Sequence, residues 1–92
     1  MKKEIYLDAQ VLKTEAEFHE HIAKILELPS YYGRTLDDLW DFLTNYIDKD
    51  IKIYIQGYSN LQTIMGSRKT ALDDIFTRLE TTCPGMEVFL NN

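Results

Sequence analysis

Asp37, Asp38 and Asp41 stand close together around Trp40 in the run Leu36-Asp-Asp-Leu-Trp-Asp-Phe-Leu-Thr44. Carboxylates at this spacing can do two kinds of chemistry. They can hold a hard divalent cation, which takes oxygen ligands. They can also meet an arginine or lysine supplied by another molecule. The first needs the carboxylates to converge. On a helix, successive side chains turn by about 100°, so Asp37 and Asp41 share a flank while Asp38 points away from Asp37. A chain of 92 residues also leaves no room for the large apolar cavity that a metal-dependent prenyl-transfer enzyme needs. A lone acidic motif is a weak signal in any case. His19, His21 and Cys83 make a poorer zinc set still. Histidines two positions apart lie on different helix faces, and no cluster completes a tetrahedral site. Both histidines are expected at the surface or at the core edge. Cys83 has no visible base beside it to make it a nucleophile. The reading is therefore no catalytic residue, no metal and no cofactor.

On the same helical wheel Leu36, Leu39, Leu43, Tyr46 and Ile47 gather on one side. Asp37 and Asp41 form the flank with Thr44 next to them, and Trp40 lies between stripe and flank. Aspartates at i, i+4 repel by about 0.2–0.5 kcal/mol unless a cation meets them. Asp37 and Asp38 fall in the first turn, where the helix dipole favours anions. Asp41 lies a turn later and gains less from the dipole. A large aromatic ring beside charge is the composition of a binding hot spot. A solvated acidic face with Trp40 tucked against the core would read the same way, and the helix alone does not choose.

The elements that must position this helix can be read from the rest of the chain. Lys3–Leu7 alternates and reads as a strand. Residues 8–13 form a connection. Thr14-Glu-Ala-Glu17 has capping-box form, and Phe18, Ile22, Ile25 and Leu26 follow as a helical stripe. That helix ends near Glu27, because Pro29 disfavours helical geometry at Leu28. Tyr31-Tyr32-Gly33 reads as a turn, and Thr35 caps the next helix. Ile51–Ile55 is the clearest strand, ended by Gly57. Tyr58–Met65 reads as a short helix broken at Gly66. Lys69–Thr81 is a helix with Leu72, Ile75, Phe76 and Leu79 on one face. Residues 82–85 are a loop, and Met86–Leu90 is a last strand. Strands separated by helices argue for parallel crossovers in one sheet. Alternation within the strands argues for helices mainly on one face. The expectation is an α/β fold in two layers: one three-stranded parallel sheet, about three to four helices, and a single domain over residues 1–92.

The formal net charge is −5. Much of the excess lies in Glu27–Asp50, where Glu27, Asp37, Asp38, Asp41, Asp48 and Asp50 face only Arg34 and Lys49. Direct binding of nucleic acid is disfavoured, since phosphates require a basic patch. A basic protein partner is favoured, although such a net charge is also ordinary for a soluble domain. The single cysteine excludes an internal disulfide and fits a reducing cytoplasm. No apolar run reaches the roughly 20 residues of a membrane helix, and the start is not a secretory signal. A cytoplasmic protein, monomeric when free, is expected.

Tyr31-Tyr32-Gly33, Leu36-Asp37, Leu39-Trp40-Asp41 and Leu43-Thr44 together resemble the signature run of the barstar family of barnase inhibitors. The resemblance extends over essentially the whole length. Lys2-Lys3 begins it, His19 falls at the family's histidine, and Leu28-Pro29 closes the first helix. It implies an inhibitor rather than an enzyme. The acidic helix and the loop before it would plug the active site of a basic ribonuclease. Asp41 would stand in for an RNA phosphate among the enzyme's cations, and Asp37 would pair with a basic side chain beside it. Tyr31 would cover the catalytic histidine, and Gly33 would let the backbone approach closely. Trp40, Thr44 and Tyr46 would frame the contact, with Tyr32, Thr35, Asp38 and Arg78 completing the set. Several positions depart from the family. Arg78 stands where the family has a glutamate, and Asp38 replaces a small residue. Asn45 replaces a glycine, Tyr46 a tryptophan and Phe42 a cysteine. Asp48 keeps an acid one carbon shorter, and Cys83 only loosely matches a second cysteine. The resemblance thus implies an inhibitor whose own target is a basic ribonuclease other than barnase. An immunity or regulatory module for a basic partner that is not a ribonuclease would use the same acidic plug, and the sequence does not separate the two.

Overall fold

The strands carry branched side chains on one side and polar or aromatic ones on the other. β1 (Lys3–Asp8), β2 (Ile51–Gln56) and β3 (Glu87–Asn91) form one sheet in the order β1-β2-β3, with both pairs parallel. This computed structural model describes residues 3–47 and 50–92. Lys2, Asp48 and Lys49, all named above, lie outside the described residues. Ile5, Leu7, Ile51, Ile53 and Ile55 are buried on the helix side of the sheet. The residues between them are more exposed, so the other face is open. The expected two-layer α/β architecture is therefore what the chain adopts.

α1 (Glu15–Ile25) and α2 (Leu36–Asn45) lead from β1 to β2, and α3 (Asn60–Met65) and α4 (Lys69–Thr82) lead from β2 to β3. The residues read as a connection after β1 include a short 3-10 turn, Ala9–Val11. Thr14 caps α1 by accepting from the Glu17 N–H at 3.1 Å. Glu17 reaches one residue further back than a standard capping box, taking the Lys13 N–H at 2.9 Å. The far end of α1 closes without glycine. Glu27 takes a left-handed φ of 55°, its N–H donates to the Lys24 carbonyl, and the Leu28 N–H donates to the Ala23 carbonyl. This is the Schellman arrangement, and it turns the chain toward α2 just before Pro29.

α2 buries Leu36, Leu39, Phe42 and Leu43. The expected stripe included Tyr46 and omitted Phe42. The helix ends at Asn45, so Tyr46 falls on the cap, where it is 52% exposed. Phe42 sits at i+3 from Leu39 and completes the apolar face instead. α4 buries Leu72, Ile75, Phe76 and Leu79, as its spacing indicates. Lys69 is tucked in at its start, with its ammonium 2.9 Å from Asp73 and 4.2 Å from the centre of the Tyr58 ring. Among the described residues no helix is long and apolar enough to cross a membrane.

Candidate partner-binding surface

The loop before α2 is held from beneath. Pro29 to Tyr32 forms a turn, closed by the Tyr32 N–H donating to the Pro29 carbonyl at 3.0 Å. Tyr32 then points inward, not toward a partner: it is 6% exposed, and its hydroxyl lies 2.7 Å from His19 Nδ1. Burial pushes the Tyr32 phenol well above its ordinary range, so the hydroxyl keeps its proton. His19 is buried too, not at the surface or core edge as expected. It sits at i−3 from Ile22 and i−7 from Leu26, on the α1 stripe, and that spacing is the signal that places it. Burial lowers its affinity for a proton, with Glu15 opposing in part. Glu15 Oε2 lies 3.6 Å from His19 Nε2. The Arg68 guanidinium in turn grips Glu15 with two bonds of 2.8 Å. Arg68, Glu15, His19 and Tyr32 thus run as one chain of contacts from the start of α4 through α1 to the loop.

The N-terminus of α2 locks the other side of that loop. Thr35 accepts from the Asp38 N–H at 3.1 Å, which satisfies a donor the helix leaves free. The Asp38 carboxylate folds back to accept from the Gly33 N–H. A Cβ on Gly33 would stand 2.9 Å from Asp38 Oδ2, so glycine is what lets the carboxylate reach the backbone. The close approach expected of Gly33 toward a partner is here made by the chain's own aspartate. The left-handed residue is the next one, Arg34, at φ 56°. Asp38, in the contact set that the resemblance implies, uses its carboxylate for this bond and stays partly exposed. Thr35 likewise works within the chain.

Gly33 and Thr35 remain exposed beside the acidic flank. Asp37 and Asp41 are both exposed on the flank of α2. Among the described residues neither carboxylate forms an ion pair. Asp41 accepts from the neutral Asn45 amide at 3.0 Å. Asp37 feels the charge of Arg68 without contacting it. Trp40 is half-buried, and the Arg78 guanidinium lies over its ring at 5.0 Å while holding Asp74 at 3.3 Å. Thr44 turns its hydroxyl to the Trp40 carbonyl at 2.8 Å, the back-bonding common for threonine within helices. Beyond it, Phe42 acts as a hub. Tyr31, 73% exposed, leans on it at 5.8 Å, and Tyr46 meets it edge-on at 5.3 Å. Tyr31, Asp41, Phe42, Asn45 and Tyr46 line a shallow cleft of about 200 Å³. Asn45 and Phe42 were noted in the sequence only as departures from a family pattern. Their part in the surface depends on the helix ending where it does.

The surface can therefore offer two carboxylates without an ion pair among the described residues, beside exposed aromatic rings, on a backbone held by capping and by the buried His19–Tyr32 contact. A carboxylate presents paired oxygens that match a guanidinium fork, as a phosphate does. Among the described residues no group of His, Cys, Asp or Glu side chains comes together as a metal site would require.

The family profile described as Barstar (barnase inhibitor) matches residues 2–90. The protein YrdF of Bacillus subtilis (strain 168), which carries a provisional name as a ribonuclease inhibitor, is 31% identical over 65 residues, 71% of this chain and 71% of that protein.

The buried contacts set a pH dependence. His19 binds protons less readily folded than at its ordinary value of 6.5. The unfolded chain therefore takes up more protons as pH falls below that value, and stability declines there. Arg68 holds the Glu15 carboxyl below its ordinary 4.5, so that contribution is present above this pH and lost only as pH falls through the lower folded value. Urea unfolding across a pH series should show both declines. His19→Gln should flatten the upper one and leave the lower; an unchanged upper slope would remove His19 from this account.

Proposed function

We propose, because the chain belongs to the barstar family of barnase inhibitors, that it inhibits a basic ribonuclease in the cytoplasm by seating the α2 flank and the Tyr31 loop in the enzyme's active site. The observation that carries this reading is the state of Asp37 and Asp41, exposed and without an ion pair among the described residues. Asp41 would occupy the place of an RNA phosphate and Asp37 a neighbouring cationic position. Tyr31, Trp40 and Tyr46 would supply the aromatic contact area that anchors such interfaces. Tyr32, Thr35, Gly33 and Asp38 act one step behind, by fixing the loop and the helix start. Thr44 frames the flank through its bond to the helix backbone.

Charge also sets the rate. An acidic surface is steered into a basic cleft, and association can reach about 10⁸–10⁹ M⁻¹s⁻¹ at low salt. Arg78 works against that attraction where a partner is basic. Stacking on Trp40 holds the guanidinium in place, so the chain selects targets that tolerate or welcome a cation there. This supports a target other than barnase itself.

Titration into an RNA-cleavage assay with basic ribonucleases tests the reading. Inhibition is expected, and Asp41→Ala should weaken binding by about 2–5 kcal/mol, the range for truncating one partner of a desolvated charge pair, whose reference case is the barnase–barstar complex of this same family. Asp38→Ala should do the reverse, lowering fold stability by about 1 kcal/mol through the lost cap and changing affinity little. If Asp41→Ala instead lowers the melting temperature and leaves binding intact, the roles are misassigned. If no ribonuclease is slowed but a basic protein of another kind is bound through Asp41, the regulatory reading replaces this one.

A separate test concerns Arg78. Arg78→Glu should tighten binding to barnase by at least about tenfold, or 1.4 kcal/mol. No gain would mean that α4 lies away from the enzyme in the complex.

A further inference from the structure

The open face of the sheet and its β3 edge take no part in the surface above. The strand register sets Glu4, Lys52 and Glu87 in one row, Tyr6, Tyr54 and Phe89 in the next, and Asp8, Gln56 and Asn91 in a third. The middle row is a stack of rings. Their centroids are 4.8 Å apart at each step, and their planes differ by 9° and 14°. The Tyr6 and Tyr54 hydroxyls both donate to Glu4, at 3.1 and 3.3 Å. On the β1 side the stack ends on a strand bearing Lys3, Glu4 and Asp8, charges of the kind that guard a sheet edge. On the β3 side it ends at Phe89, which is 41% exposed. The next residue, Leu90, pairs in register with the buried Ile55 on the helix side of the sheet, yet it is 42% exposed. β3 thus shows apolar side chains on both of its faces. Among the described residues no strand pairs with its outer edge, and Val88-Phe89-Leu90 contains neither charge nor proline.

We propose that this edge is a self-association surface, on which β3 of a second copy pairs antiparallel with β3 about a two-fold axis at Phe89. Two three-stranded sheets then become one of six strands. The strand is complementary to itself in that register. Phe89 meets Phe89 of the second copy, and the ring stack continues across the join. Val88, partly buried against the core, meets the exposed Leu90 of the second copy. Glu87 meets Asn91 of the second copy, so the carboxylate faces an amide rather than a like charge. Self-complementarity of this kind is what a two-fold interface requires. The net charge of −5 on each copy opposes approach, so added salt strengthens the pairing. Binding of a basic enzyme through α2 has the opposite salt dependence, and the two surfaces use different residues. The inference therefore stands apart from the proposed inhibition.

Sedimentation velocity from micromolar to millimolar protein tests it. The expected result is a monomer–dimer equilibrium that shifts toward dimer with salt. Phe89→Lys sets like charges opposite each other and removes the ring pair, and should raise the dimer Kd by about tenfold or more. Leu90→Lys should act in the same direction, should Phe89→Lys disturb the sheet. Neither should alter inhibition of a ribonuclease. A chain that stays monomeric at all concentrations, or a dimer that survives both substitutions, overturns the proposal.

Discussion

A carboxylate left without a cation of its own must be met by water or by a partner. Among the described residues, Asp37 and Asp41 are in that state. Two of the described cations in this region are engaged elsewhere. Arg68 is held by Glu15 with two bonds of 2.8 Å, and Arg78 is held by Asp74 and by the face of Trp40. The third aspartate of the run is taken up by the Gly33 N–H. Repulsion between the two acids costs little, about 0.2–0.5 kcal/mol, so the fold tolerates the arrangement easily.

Rigidity is the second requirement of such a surface. A loop that had to order on binding would lose affinity to conformational entropy. Here the loop is ordered from both directions. Tyr32 fastens it to α1 through His19, and Asp38 fastens it to the first turn of α2. The solvent-facing Tyr31 and the inward Tyr32 are neighbours in sequence, so one residue anchors while the other stays available. Phe42 links this loop to the far end of the helix, because Tyr31 and Tyr46 both lean on it.

Much of this could be read from the chain before the fold was known. The period-two strands and the helical stripes indicated a two-layer α/β domain, because side-chain alternation reports directly on which face is covered. The acidic flank of α2 was legible for the same reason: Asp37 and Asp41 stand at i, i+4 whatever surrounds them. What could not be read were the tertiary hydrogen bonds. Nothing local says that Asp38 turns back to Gly33 rather than outward, or that Tyr32 meets a histidine from α1. The burial of His19 was encoded in its spacing to Ile22 and Leu26, but a polar residue on an apolar stripe reads as a surface group until its partner is seen. The order of the strands was likewise silent in the sequence. The register that stacks Tyr6, Tyr54 and Phe89 follows from that order and was equally silent.

The central claim is that Asp41 takes the position of a phosphate in a cationic pocket of another protein. The most direct measurement is equilibrium competition on a ribonuclease that the protein inhibits. A nucleoside monophosphate is bound in the active site, and the protein is then titrated in. The account predicts strict competition, with the apparent Kd rising linearly with nucleotide concentration. A stable ternary complex of enzyme, nucleotide and this protein, formed with undiminished affinity, would contradict it.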